Sequence, residues 1–253
     1  MVELEPVSII ALLALGYFAG IINTLAGGGS NLTLPALMVL GMPADIANAT
    51  NRVGILMQTL WGSRSFHHHG QLPLQDFKSI LVPLSVGGVL GGLAASFAPQ
   101  AYLKPVLLLT MVSMSLIILV KPAVVMPPPG TEPRRVADTP ASWPMLFFSG
   151  FYGSFVQAGV GFVLIMALAG SLRYDLVKAN ALKVLCSLGF TAIALTIFVW
   201  RDQVNWLPGL ILASTMMIGA HHGVKFAVKA NPNSLKWFLF IMTVCGCAAA
   251  LIF

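Results

Sequence analysis

The chain has 253 residues, of which 57% are hydrophobic and 9% charged. Soluble domains carry roughly 25% charged residues, so a water-soluble enzyme or nucleic-acid-binding domain is excluded despite the net charge of +6. Several apolar runs near twenty residues point instead to an all-α polytopic membrane protein embedded in a lipid bilayer.

Residues 6–25 form the first apolar segment, after an acidic start (Glu3, Glu5) that lacks the positive region of a signal peptide and predicts retention. It ends at Gly27-Gly28-Gly29, and residues 31–42 form a second, shorter segment. Twelve helical residues reach about 18 Å, short of a ~30 Å hydrocarbon core. The pair therefore reads as a broken or re-entrant unit, with two steep crossings as the alternative. Asp45 is expected to N-cap a helix over 46–63 that contains Asn48, Thr50, Asn51 and Arg52. A polar loop with Arg64, His67-His68-His69 and Asp76 follows.

Residues 78–98 and 101–120 are two further spans. Gly87, Gly88, Gly91 and Gly92 lie in the first of them at small-xxx-small spacing, suited to a neighbouring helix or to a homodimer. Residues 121–143, with Pro127-Pro128-Pro129-Gly130, are a linker, dividing the chain into membrane units 1–120 and 144–253.

The second unit repeats the first. Gly150, Gly153, Gln157, Gly159 and Gly161 replace the first glycine cluster, and Asp175 opens a helix with Lys178, Asn180 and Lys183 that runs to Trp200. Asp45 and Asp175 are 130 positions apart, Arg52 and Lys183 131, and Pro83 and Pro208 125. Residues 205–223 and 235–253 complete the set. Each unit thus holds a short broken pair and three transmembrane helices. That odd count makes the two units inverted repeats.

Alternating segments place ten basic residues, from Arg64 to Lys236, on one side and only Lys104 and Arg201 on the other. By the positive-inside rule the linker is cytoplasmic and both termini are outside. Cys186, Cys245 and Cys247 lie in apolar segments and read as packing residues, with no cofactor or metal implied.

Arg52 and Lys183 fall deep within their helices, where a charge is costly and usually marks a pathway, and inverted halves would bring both to one midplane site between them. The competing reading is that both bond to exposed carbonyls at the broken helices and merely seal the fold. All eight acidic residues sit in loops or at helix starts, so the membrane interior holds cations and amides and the cargo is a small anion. Gly27, Gly28, Gly29, Gly159 and Gly161 would offer backbone donors at the breaks, with helix starts at Ser30-Asn31 and near Gly161. Asn23, Thr50, Asn51, Gln157 and Asn180 would orient the anion. The histidines, His67 to His69 and His221-His222, read as interfacial loop residues; a transition-metal cation carrier built on them is the alternative.

The run Gly-Tyr-Phe-Ala-Gly-Ile-Ile-Asn-Thr-Leu-Ala-Gly-Gly-Gly-Ser (16–30), then Leu34-Pro35 and Ala-Asn-Ala-Thr-Asn-Arg (47–52), resembles the TauE/SafE sulfite exporter family. Gly150 to Gly161 and Asp175 to Lys183 are similar in kind, although Ser30 and Val160 depart from the glycine pattern. The resemblance implies a secondary transporter, not an enzyme, that exports a small sulfur-containing anion such as sulfite, thiosulfate or an organosulfonate. It also implies a home in the bacterial inner membrane.

Overall fold

The computed structural model describes residues 6–120 and 131–227, whose regular structure is all helical, with no strand among them. Helix α1 (Pro6–Ala26) runs uninterrupted because nothing before Gly27 breaks it. Gly27 then turns left-handed at φ +80°, its N–H returning to Ile22 and Asn23 carbonyls. Helix α2 (Ser30–Val39) is ten residues, and α3 is Ala44–His68. Helices α4 (Phe77–Phe97) and α5 (Gln100–Val120) follow. The second half opens with α6 (Ser142–Phe155), continues through α7 (Val160–Ile165) into a π-helical turn over Met166–Ser171, and ends its described part with α8 (Leu176–Trp200) and α9 (Trp206–Ala227). The expected span at 235–253 lies outside the described residues.

Three of the described helical stretches, Pro6–Leu25, Phe77–Phe97 and Leu176–Trp200, are long and apolar enough to cross a membrane. The first broken unit therefore pairs a full-length helix with a short one, since only α2 is too short for the hydrocarbon core. Helix α3 also exceeds its expected bounds. No glycine or proline interrupts it between Ser63 and His69, so His67 and His68 sit on its last turn, and His221 and His222 likewise lie on α9 rather than in loops. Asp45 does not cap α3. Pro43 occupies the N-cap position with extended backbone, and Asp45 falls within the first turn. Asp175 does cap α8, accepting from the Lys178 N–H at 2.9 Å. Within the expected linker, the described end is docked: Arg134 N–H bonds Leu172 O at 2.8 Å, and Val136 N–H bonds an Asp76 carboxylate oxygen at 2.8 Å.

Spatial order departs from chain order. Helix α1 packs chiefly on α9, and α4 on α6. Both pairs run parallel: Gly16 faces Leu212 and Gly20 faces Met216, while Gly87 faces Phe147 and Gly91 faces Phe151. A Cβ on Gly20 or Gly87 would collide with the partner's main chain, which is why these positions are glycine. The Gly87–Gly92 face is thereby occupied within the chain itself. At the centre, α3 and α8 cross antiparallel. Ala49 clusters with Ala194 and Phe198, Val53 with Leu195, and Phe66 with Ala181 and Val184.

Candidate functional site

Arg52 leaves the middle of α3 fully buried and reaches the end of α6. One terminal nitrogen donates to Gly153 O at 3.0 Å and to Gln157 Oε1 at 2.9 Å. The other donates to Ser154 O and, at 3.5 Å, to Asn48 Oδ1. The guanidinium also lies 5.2 Å from the Phe198 ring centroid, within cation–π range. The last carbonyls of a helix carry partial negative charge and lack intrahelical donors, so a cation there is favourable. Arg52 is thus the C-terminal cap of a helix in the other half of the chain.

Lys183 makes the reciprocal contact. From α8 its Nζ, also buried, donates to Asn23 O at 3.3 Å and Thr24 O at 3.1 Å, at the end of α1. Gly153 and Ser154 stand 130 positions after Asn23 and Thr24, the same offset as Asp45 to Asp175. Each half therefore supplies the cation that caps the other half's interrupted helix. The expected alternative, in which both cations satisfy exposed carbonyls, describes these contacts.

Among the described residues, the cavity that Lys183 borders does not include Arg52 in its lining. It is small, about 10 Å³, room for roughly one water, and is lined by Lys183, Asn23, Gln58, Thr59, Gly27, Gly161 and Ser187. An ammonium has three donors, and two of them meet carbonyls here. The third is the one that the cavity can use. Arg52 directs both terminal nitrogens to four protein oxygens, while its buried Nε has no hydrogen-bond partner.

Of the other expected residues, Asn23, Gly27 and Gly161 join Lys183 at the cavity, and Gly27 and Gly161 touch main chain to main chain. Gln157 belongs with Arg52 and holds φ +69°, the left-handed turn that Gly27 makes 130 residues earlier. Ser30 and Asn51 bond each other at 3.1 Å, and Asn51 also accepts from Thr33 at 2.6 Å. Thr50 accepts from Asn205 N–H at 3.0 Å, tethering the start of α9. Gly159 turns left-handed at φ +75° ahead of α7, and Gly28 O and Gly29 O accept the first N–H groups of α2. Asn31 is buried at that same helix start, and the buried Asn180 Oδ1 lacks a hydrogen-bond partner. None of these lines the cavity.

Gln58, Thr59 and Ser187 were not anticipated. Gln58 accepts from Asn23 Nδ2 at 2.9 Å and donates to Thr24 Oγ1 at 3.4 Å, holding the end of α1 beside Lys183. A polar pair between Met57 and Leu60, two turns beyond Arg52, and a serine one turn beyond Lys183 were the available signals.

Outside the spans, Asp175 sits below the usual carboxylate value. Partial burial pulls upward, but the Lys178 N–H and then its side chain, 3.0 Å away, outweigh that. Among the described residues no three His, Cys, Asp or Glu side chains converge as a metal-holding group.

Relatives agree with this class of molecule. A "Probable membrane transporter protein" of Haemophilus influenzae is 26% identical across 92% of this chain and 90% of its own length. "Probable membrane transporter protein YfcA" of Escherichia coli K12 is 25% identical across 94% and 88%. The model of the sulfite exporter TauE/SafE family matches residues 12–250, nearly the whole chain. With apolar helices, interrupted segments and buried intramembrane cations behind that match, the chain belongs to the TauE/SafE sulfite exporter family and is a membrane transporter.

Proposed function

We propose that the protein is a secondary transporter that exports a small sulfur-containing anion, such as sulfite, thiosulfate or an organosulfonate, through a site centred on Lys183. The carrying observation is that a buried ammonium, held by two main-chain oxygens, borders a polar cavity with one donor unspent. Asn23, Gln58, Thr59 and Ser187 supply neutral hydrogen-bonding groups around it, and no carboxylate lines the same space. A cation would meet repulsion there, and an anion a charge-assisted bond.

The cavity holds about one water, so an anion enters only as its walls part. The contact between the helix breaks at Gly27 and Gly161 is the seam along which they would separate. Two inverted units, 1–120 and 144–253, joined by a cytoplasmic linker at 121–143, fit this scheme. Their support is the antiparallel α3–α8 crossing, the matching α1–α9 and α4–α6 pairs, and the reciprocal caps. Antiparallel crossing also brings the Arg64 end of α3 to the Lys178 end of α8, in keeping with a basic cytoplasmic face of a bacterial inner membrane and both termini outside. Arg52, Gln157 and Asn48 then position α6, while Thr50, Asn51, Ser30, Asn31 and Asn180 lie outside the cavity lining.

The test is efflux from proteoliposomes loaded with radiolabelled sulfite, thiosulfate or a simple alkanesulfonate. At least one anion should leave faster than from protein-free vesicles, and Lys183→Met should abolish the difference. Anion fluxes equal to the vesicle background, with zinc or nickel flux above it, would refute the reading in favour of a metal carrier.

A further inference from the structure

A second cavity, of about 860 Å³, opens on the flank of the molecule between α3, α8 and α9 and lies within the size range of ligand pockets. Its character changes along α3. Met57, Leu60 and Trp61 line one end, with Leu185, Leu188 and Met217 opposite, while Arg64 and His67 bring the basic groups to the other, beside Leu72 and Leu74 of the following loop. Met57, Leu60, Arg64 and His67 recur at three- and four-residue intervals, so they form one stripe of the helix, about 15 Å from its apolar to its basic end.

That gradient runs along the helix axis and matches an amphiphile lying parallel to it. Arg64 is exposed, and the one ion pair among the described residues is Lys178–Asp175, so no carboxylate neutralises it. At the boundary, Ser63 lines the cavity and is only 6% exposed, and its buried hydroxyl has no hydrogen-bond partner. Trp61 packs edge-on against His221 at 6.4 Å between ring centroids, and indoles favour membrane interfaces.

We propose that this cleft is a binding site for one anionic phospholipid. Its phosphate would lie against Arg64 and His67, its ester region beside the Ser63 hydroxyl, and an acyl chain along Leu60, Leu185 and Leu188. A small anion making its way inward would want polar groups along the whole cleft, whereas the lower half offers only apolar side chains and the indole of Trp61. The proposal does not depend on the transported species.

The test uses the purified full chain in detergent, exposed to phosphatidylglycerol or phosphatidylcholine, with bound lipid counted by native mass spectrometry. Phosphatidylglycerol should be retained over phosphatidylcholine, and the paired substitution Arg64→Ala with His67→Ala should weaken its retention about tenfold. Phosphatidylcholine adducts should be unchanged, which controls for folding. Equal retention of both lipids, or selectivity that survives the paired substitution, would overturn the proposal. So would a thermal shift with inorganic phosphate alone equal to that with phosphatidylglycerol, because the cleft would then be an anion site and not a lipid site.

Discussion

The ammonium of Lys183 lies 3.1 Å from the main-chain oxygen of Thr24, although 159 positions separate the two residues. One side chain thereby holds the end of α1 and borders the polar cavity, so its removal should be felt in binding. A charge-assisted hydrogen bond contributes about 1.5–3 kcal/mol, so Lys183→Met should weaken anion binding roughly ten- to a hundredfold. Equilibrium binding of labelled sulfite to the purified protein, normalised to folded protein by size-exclusion recovery, measures this. Unchanged affinity would remove Lys183 from the site.

Arg52 should behave differently. Its terminal nitrogens serve four protein oxygens, and each buried group left unsatisfied costs about 1–3 kcal/mol. Arg52→Met should lower the thermal midpoint of the solubilised protein sharply, while Arg52→Lys recovers part of the loss. Affinity measured on whatever fraction remains folded should change little. A variant with full stability and no binding would reverse the two roles.

Gly27 combines a left-handed backbone with main-chain contact to Gly161. Gly27→Ala should therefore disrupt both the turn and the seam between the breaks, abolishing transport. Gly41, at φ +84° with no atom within 4 Å of a built Cβ, is the control for backbone strain alone. Gly41→Ala should cost about 1 kcal/mol or somewhat more and leave transport rates near those of the parent. Vesicle flux for the pair separates packing from conformation.

The Asp175 cap carries a pH signature. Its folded-state pKa lies below the usual 3.8, so its contribution is complete above that value and fades as pH falls through the lower folded value. Asp175→Ala should cost about 1 kcal/mol at pH 7, as loss of an N-cap does. Midpoints of parent and variant, followed from neutral to strongly acidic solution, should converge at the acid end. A constant gap would show that the cap works without its charge.

Much of this arrangement was legible from residue order. Hydropathy exposed the helices, Gly27 and Gly159 marked the interruptions, and Arg52 and Lys183 stood out as charges in oil. The near-constant 130-residue offset reappears as paired capping contacts. What residue order does not carry is which helix neighbours which. The expectation of a shared midplane site took the direction of both side chains from the inverted halves alone. Unsatisfied carbonyls at the ends of α1 and α6 attract them first, because each cation finds partial negative charge within reach there. Gln58 and Thr59 escaped notice for a related reason: without charge or glycine, only the neighbouring turn of α1 gives them a role. The length of α3 was misjudged because its far boundary lies in sequence without a strong stop signal.

The parallel pairing of α1 with α9 has a consequence for how the molecule is made. The ribosome delivers α1 first and α9 some two hundred residues later, so Gly16 and Gly20 wait in the bilayer without the surface they fit. Helix α4 waits in the same way, for a shorter time, until α6 emerges. Neither half can close on itself during synthesis, and a chain halted near Trp200 should be a substrate for membrane quality-control proteases.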